Sequence, residues 1–139
     1  MKKYLVVLVA MLLVVTGCGG KKLTCTLEET DQKSTVAMEF DKENVVTKIK
    51  MTVSVPLENE LTAEEKEYME SYMGIMCAAF DYDGVSCETK TGSKSVDVVI
   101  TMDMDKMDQD TKDDMGYSKE EATYDAMKKS LEESGYTCK

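Results

Sequence analysis

The residue types in this chain that can do chemistry are its thiols, thioethers and carboxylates. There are five cysteines, twelve methionines and 27 acids against 17 basic residues, all of them lysine. The chain has no histidine, arginine or tryptophan. Without histidine, the usual general base near neutral pH is missing. Without arginine, so is the planar fork that clamps phosphate or carboxylate through two parallel bonds. No Ser-x-x-Lys, Gly-x-Ser-x-Gly or Gly-x-x-x-x-Gly-Lys occurs, so serine nucleophiles and phosphate-cradling loops have no signature here. No carboxylate pair stands out. The chain is therefore expected to be non-catalytic and to need no cofactor. Its formal charge of −10 also excludes nucleic acid as a partner, since backbone binding requires clustered cations.

The first cysteine has a different setting from the rest. Lys2 and Lys3 precede the uncharged run Tyr4–Val15, and Val15-Thr16-Gly17-Cys18 closes it. A membrane-spanning helix needs about 20 apolar residues. This run is shorter and fits the central region of a secretory signal peptide. The closing tetrapeptide resembles a bacterial lipobox. That resemblance implies cleavage before Cys18 and a diacylglyceryl group on its thiol, making it the anchor of an extracytoplasmic lipoprotein at the cell membrane. Two acyl chains hold a protein stably where one does not. Gly19-Gly20 supply a joint. Lys21-Lys22 are either plain spacing or contacts to anionic headgroups. The expected organisation is a signal peptide over 1–17, a lipidated linker over 18–22 and one domain over 23–139.

With Cys18 assigned to lipid, Cys25, Cys77, Cys87 and Cys138 form an even set. On an exported chain these read as disulfides, with three possible connectivities. Cys25–Cys138 and Cys77–Cys87 are favoured. The first ties the two ends of the domain, and the second spans a helix-to-strand turn. A structural zinc site is the rival, but there is neither a Cys-x-x-Cys pair nor a histidine.

Other ligand readings centre on Met102–Asp114. Asp103, Asp105 and Asp108 begin an acidic series that suggests a weak divalent-cation site. Read as a calcium loop from Asp103, however, Asp108 stands where glycine is required. The alternative is a solvated acidic edge that discourages strand-to-strand aggregation. Met102, Met104 and Met107 offer soft ligands for Cu(I), or simply fill core space. Tyr82, between Asp81 and Asp83, is either a turn residue or part of a protein-binding patch.

The elements that must hold these residues follow from periodicity. Leu23–Glu29, Thr35–Phe40 and Val45–Val55 alternate as half-buried strands, with Pro56 at the end of the third. Thr62-Ala63-Glu64-Glu65 is a capping box. The helix behind it carries Tyr68, Met69, Tyr72, Met73, Met76 and Phe80 at spacings of three and four. Val85–Thr91 and Ser95–Asp105 read as a hairpin turning at Gly92. Lys106–Tyr117 is an acidic connector. A second box at Ser118–Glu121 predicts a helix with Ala122, Met127 and Leu131 inward, ending at Gly135, before a last strand at Tyr136–Cys138. The expected fold is α+β, an antiparallel sheet with two helices on one face, in the order β-β-β-α-β-β-α-β.

This layout resembles the YehR-like family of small bacterial lipoproteins. The likeness rests on the lipobox at Cys18, the early alternating strands, Val45–Val55, "VVITMDMDKMD" (Val98–Asp108) and "AMKKSLEESGYTCK" (Ala126–Lys139). It implies an exported, lipid-anchored domain and carries no functional residues; the partner expected from export, anchoring, a disulfide-tied fold and the lack of reaction chemistry is an unknown protein or envelope component. The four further cysteines are not part of the pattern and suggest a disulfide-stabilised branch. The expected function is non-catalytic binding, with a weak cation-binding or solute-handling lipoprotein as the alternative.

Replacing Cys18 with alanine tests the anchor. Metabolic labelling with a palmitate analogue is expected to mark the membrane-bound native chain and leave Cys18→Ala unlabelled. Equal labelling of both would contradict it.

Overall fold

The computed structural model describes residues 20–139; Cys18 and the expected signal peptide lie outside them. Six strands form one open sheet: β1 (Lys22–Glu28), β2 (Lys33–Phe40), β3 (Val46–Pro56), β4 (Val85–Thr91), β5 (Ser95–Asp103) and β6 (Thr137–Cys138). Their order is β4-β5-β3-β2-β1-β6, and every pairing is antiparallel. Three helices accompany them: α1 (Ala63–Ala78), α2 (Gln109–Asp114) and α3 (Tyr124–Glu133). The fold is mixed α+β.

The alternation read from sequence sets the two faces of the sheet. Register pairs Leu23 with Met38, Cys25 with Val36, Val36 with Met51 and Met51 with Ile100. Ile100 in turn pairs with Cys87. All these side chains therefore share one face, because strand side chains alternate. Thr24, Ala37, Lys50 and Thr101 line up on the other face, which is mostly polar. One buried face and one solvated face explain why the strand pattern is so clean.

The core lies off-centre. Leu23, Cys25, Val36, Met38, Phe40, Val46, Met104, Met107 and Ala122 form a single buried cluster. Met127 and Leu131 of α3, with Tyr124 and Tyr136, pack against it. No α1 residue belongs to it. The phenyl ring of Phe40 meets Tyr124 edge-on at 5.2 Å between centroids, and the Tyr136 hydroxyl pairs with the buried Ser34 hydroxyl at 3.0 Å.

Two expectations need correction. The acidic connector is not all loop, since it contains α2, and the element order gains that helix. Asp108 caps it, its carboxylate accepting from the Thr111 N–H at 2.7 Å, as aspartate at an N-cap does. The Ser118 hydroxyl does accept from the Glu121 N–H at 3.2 Å, but α3 does not start there. The chain closes one turn (Ala122 N–H to Ser118 C=O, 2.9 Å) and then extends. It is drawn out by three links to the start of β3: a bridge from Val45 to Thr123, and main-chain bonds from Val46 to Ala122 and from Tyr124 to Asn44. Tertiary pairing overrides the local capping signal.

Gly84 opens β4 at φ 82°. A Cβ there would stand 2.7 Å from the Asp103 carbonyl oxygen and 2.8 Å from the Met107 nitrogen. Glycine is thus needed both for the backbone conformation and for the close approach.

Both favoured disulfides are present. Cys25–Cys138 joins β1 to β6 across 113 residues, and Cys77–Cys87 joins α1 to β4 across 10. Loop-closure entropy makes the long loop worth about 5 kcal/mol and the short one about 3 kcal/mol. Urea unfolding of the 20–139 domain should therefore rank Cys25→Ala/Cys138→Ala as the more destabilised variant. The reverse ranking would contradict this reading.

Candidate functional site

α1 is built by its cap and held by its disulfide. The Thr62 N–H and hydroxyl both donate to the Glu65 carboxylate, at 2.8 and 2.9 Å, and the Glu65 N–H donates back to the Thr62 hydroxyl at 3.3 Å. These bonds, the backbone one foremost, hold the Glu65 carboxyl below its usual range. Along the helix, Met69, Met73 and Cys77 are half-buried and make the stripe that meets the sheet. Everything else apolar on α1 is open to solvent. Tyr68 is 70% exposed, Tyr72 52%, Ile75 71% and Met76 52%.

That exposure divides the row of apolar residues that the sequence places on this helix. The apolar sector is wider than the part that touches the sheet. Met69 and Met73 sit in the contact, whereas Tyr68, Tyr72, Ile75 and Met76 stand on its flank. Phe80 and Tyr82, both exposed, extend the apolar surface into the turn before β4.

The topology says where this flank looks. β3 and β4 are parallel, and α1 connects them on the face that carries Cys87. The near-universal right hand of such crossovers turns Tyr72 and Met76 toward the middle of the sheet. It leaves Glu67, Glu70, Ser71, Gly74 and Ala78 toward the β4 edge. On the same sheet face, Val53, Val98 and Ile100 are only half-buried, and Val55 is exposed.

A concavity lies at the end of the sheet where β1 begins. It is a cleft of about 470 Å³ whose lining includes Asp41, Asp105, Lys112, Tyr117 and Lys119. Its charges are balanced rather than acidic. Asp41 already accepts from the Glu43 and Val45 N–H groups at 2.8 and 3.0 Å. Burial, then the charges of Asp41 and Asp105, push the Tyr117 phenol up from its ordinary value. It stays protonated near neutral pH and is no base.

The ligand readings from sequence find other employment in the structure. Asp103 accepts from the Asp105 N–H at 3.2 Å and lies 3.7 Å from the Lys106 ammonium, while Asp108 caps α2. Among the described residues, no three Cys, Asp or Glu side chains converge to hold a metal ion. Met104 and Met107 are buried in the core, so their thioethers pack rather than ligate. Cys25, Cys138, Cys77 and Cys87 are all disulfide-bonded. Tyr82 is 54% exposed and stands at the end of the α1 surface. Sequence reasoning missed Ile75. The available signal was the width of the α1 apolar sector, too broad for one contact with a sheet.

No family model, curated protein or solved structure matches the chain.

Proposed function

We propose that this chain is a lipid-anchored, extracytoplasmic binding module without catalytic activity, held at the cell membrane through Cys18, and that the flank of α1 is its contact surface. The observation that carries the reading is the group of four large apolar side chains, Tyr68, Tyr72, Ile75 and Met76, more than half exposed on one helix. An apolar patch on a soluble face costs solubility and marks an interaction site when contiguous. Tyrosine and methionine are the residue types enriched at protein interfaces. The partner is therefore a protein or another envelope component with an apolar surface of its own. The lipobox and the two disulfides support export, since disulfides persist in oxidising compartments. The sequence resemblance to the YehR-like lipoproteins agrees with the same placement. The solute-handling alternative gains little from the end cleft, whose two aspartates face two lysines.

A photo-crosslinking amino acid placed at Tyr72 or Met76 in intact cells tests this. A discrete adduct is expected at both positions and none at Lys48, which is exposed on the opposite face. The untethered variant Tyr72→Ala/Met76→Ala should keep its stability within about 0.5 kcal/mol per site, as surface changes do, and lose the partner. Adducts that are equally frequent at Lys48 would contradict the assignment.

A further inference from the structure

The sheet ends on β4, and β4 is seven residues long. The opposite end is closed by β6, which has two residues. A long free edge presents unpaired main-chain groups that can recruit another strand. The pairing phase of β4 shows which groups these are. Gly92 donates its N–H to the Ser95 carbonyl at 2.8 Å, and Asp103 donates to the Gly84 carbonyl at 2.7 Å. Bonded and non-bonded pairs alternate along an antiparallel ladder. Ser86, Glu88 and Lys90 therefore bond inward to β5. Cys87, Thr89 and Thr91 point their N–H and C=O groups outward, and no described residue bonds to them.

We propose that the β4 edge pairs with the β4 edge of a second copy of this chain, antiparallel, about a two-fold axis through Thr89. In that register Thr89 faces its own copy, and Cys87 faces Thr91 of the other chain. All three outward positions are used on both sides, giving about six main-chain hydrogen bonds. Between them, Glu88 of each copy stands opposite Lys90 of the other. These are non-hydrogen-bonded positions, where side chains are closest and opposite charges stabilise. Glu88 and Lys90 are both exposed.

The charges also select this register over its neighbours. Slipping the pairing one way brings Glu88 against Glu88, and the other way brings Lys90 against Lys90. Either slip places like charges face to face, which is destabilising in a ladder. β4 is therefore complementary to itself in one alignment and frustrated in those adjacent to it. α1 packs on β4, and its flank toward this edge carries the exposed Glu67 and Glu70 beside Ser71, Gly74 and Ala78; within one chain a Cβ added at Gly74 would meet nothing within 4 Å. A two-fold pairing of this kind is closed, so it makes a dimer and stops. Tyr68, Tyr72, Ile75 and Met76 lie on the other flank of α1, and this inference stands apart from the proposed contact surface.

The test uses the full chain, extracted in detergent as light and nitrogen-15 copies and mixed. A zero-length carbodiimide joins a carboxylate to an ammonium only where the two touch. The expected product is Glu88 of one isotopic form coupled to Lys90 of the other. The single variants Glu88→Lys and Lys90→Glu should weaken self-association by about tenfold and lose that product. The double variant E88K/K90E restores opposite charges and should recover the dimer. Retention of both disulfides on non-reducing mapping shows that each variant is folded. A native chain that stays monomeric would overturn the proposal. So would a dimer unaffected by the single reversals, or coupling of Glu88 to a lysine of a different protein.

Discussion

Cys25 is the residue on which the described structure turns. It is fully buried, lies in the middle of β1, faces the core, and is joined to Cys138 in the strand that closes the sheet. β6 is only two residues long. Its hold on β1 rests on the disulfide, on the antiparallel pairing of Thr26 with Thr137, and on the reciprocal main-chain bonds between Thr24 and Lys139, at 3.0 and 2.8 Å. That clasp fixes the end of α3 and brings Tyr136 to Ser34, the one buried polar side chain among the described residues. It also encloses nearly the whole domain in a single loop, which is where a cross-link restrains the unfolded chain most.

The two longer helices are held in unlike ways, and the difference bears on function. Neither has a fully buried residue, but α3 packs half-buried Met127 and Leu131 against the buried cluster. No α1 residue reaches that cluster, and α1 is fastened to β4 through Cys77–Cys87. A disulfide can hold a helix in place that burial alone would not. Its apolar flank then need not be spent on the core and is left for something else. The same arrangement leaves the centre of the sheet beside α1 half-covered. It accounts for why the buried cluster gathers under α3 and the segment around Met104 and Met107.

Much of the fold was legible because one sheet face is buried and the other wet. Leu23, Cys25, Val36, Met38 and Phe40 alternate with polar residues, so strand limits and facing directions could be read directly. The Thr62 box was legible because the helix behind it is long and nothing competes with the cap. Ser118 carried the same local signal, but pairing with the start of β3 took the chain elsewhere. α2 was hidden because one and a half turns of polar residues have no apolar period. The candidate surface was half visible. Periodicity showed the row from Tyr68 to Phe80, but periodicity cannot say whether a stripe has a partner, and Ile75 falls outside the row altogether. The β4 edge was not legible at all, because edge position and pairing phase are properties of the assembled sheet.

The central claim is that an exported, lipid-anchored chain displays a disulfide-clamped domain. One intact mass tests it most directly. Chain extracted from membranes and kept unreduced should begin at Cys18, carry the added mass of a diacylglyceryl group, and show the hydrogen deficit of two disulfides. A chain that begins at Met1 with its cysteines as free thiols would contradict the account.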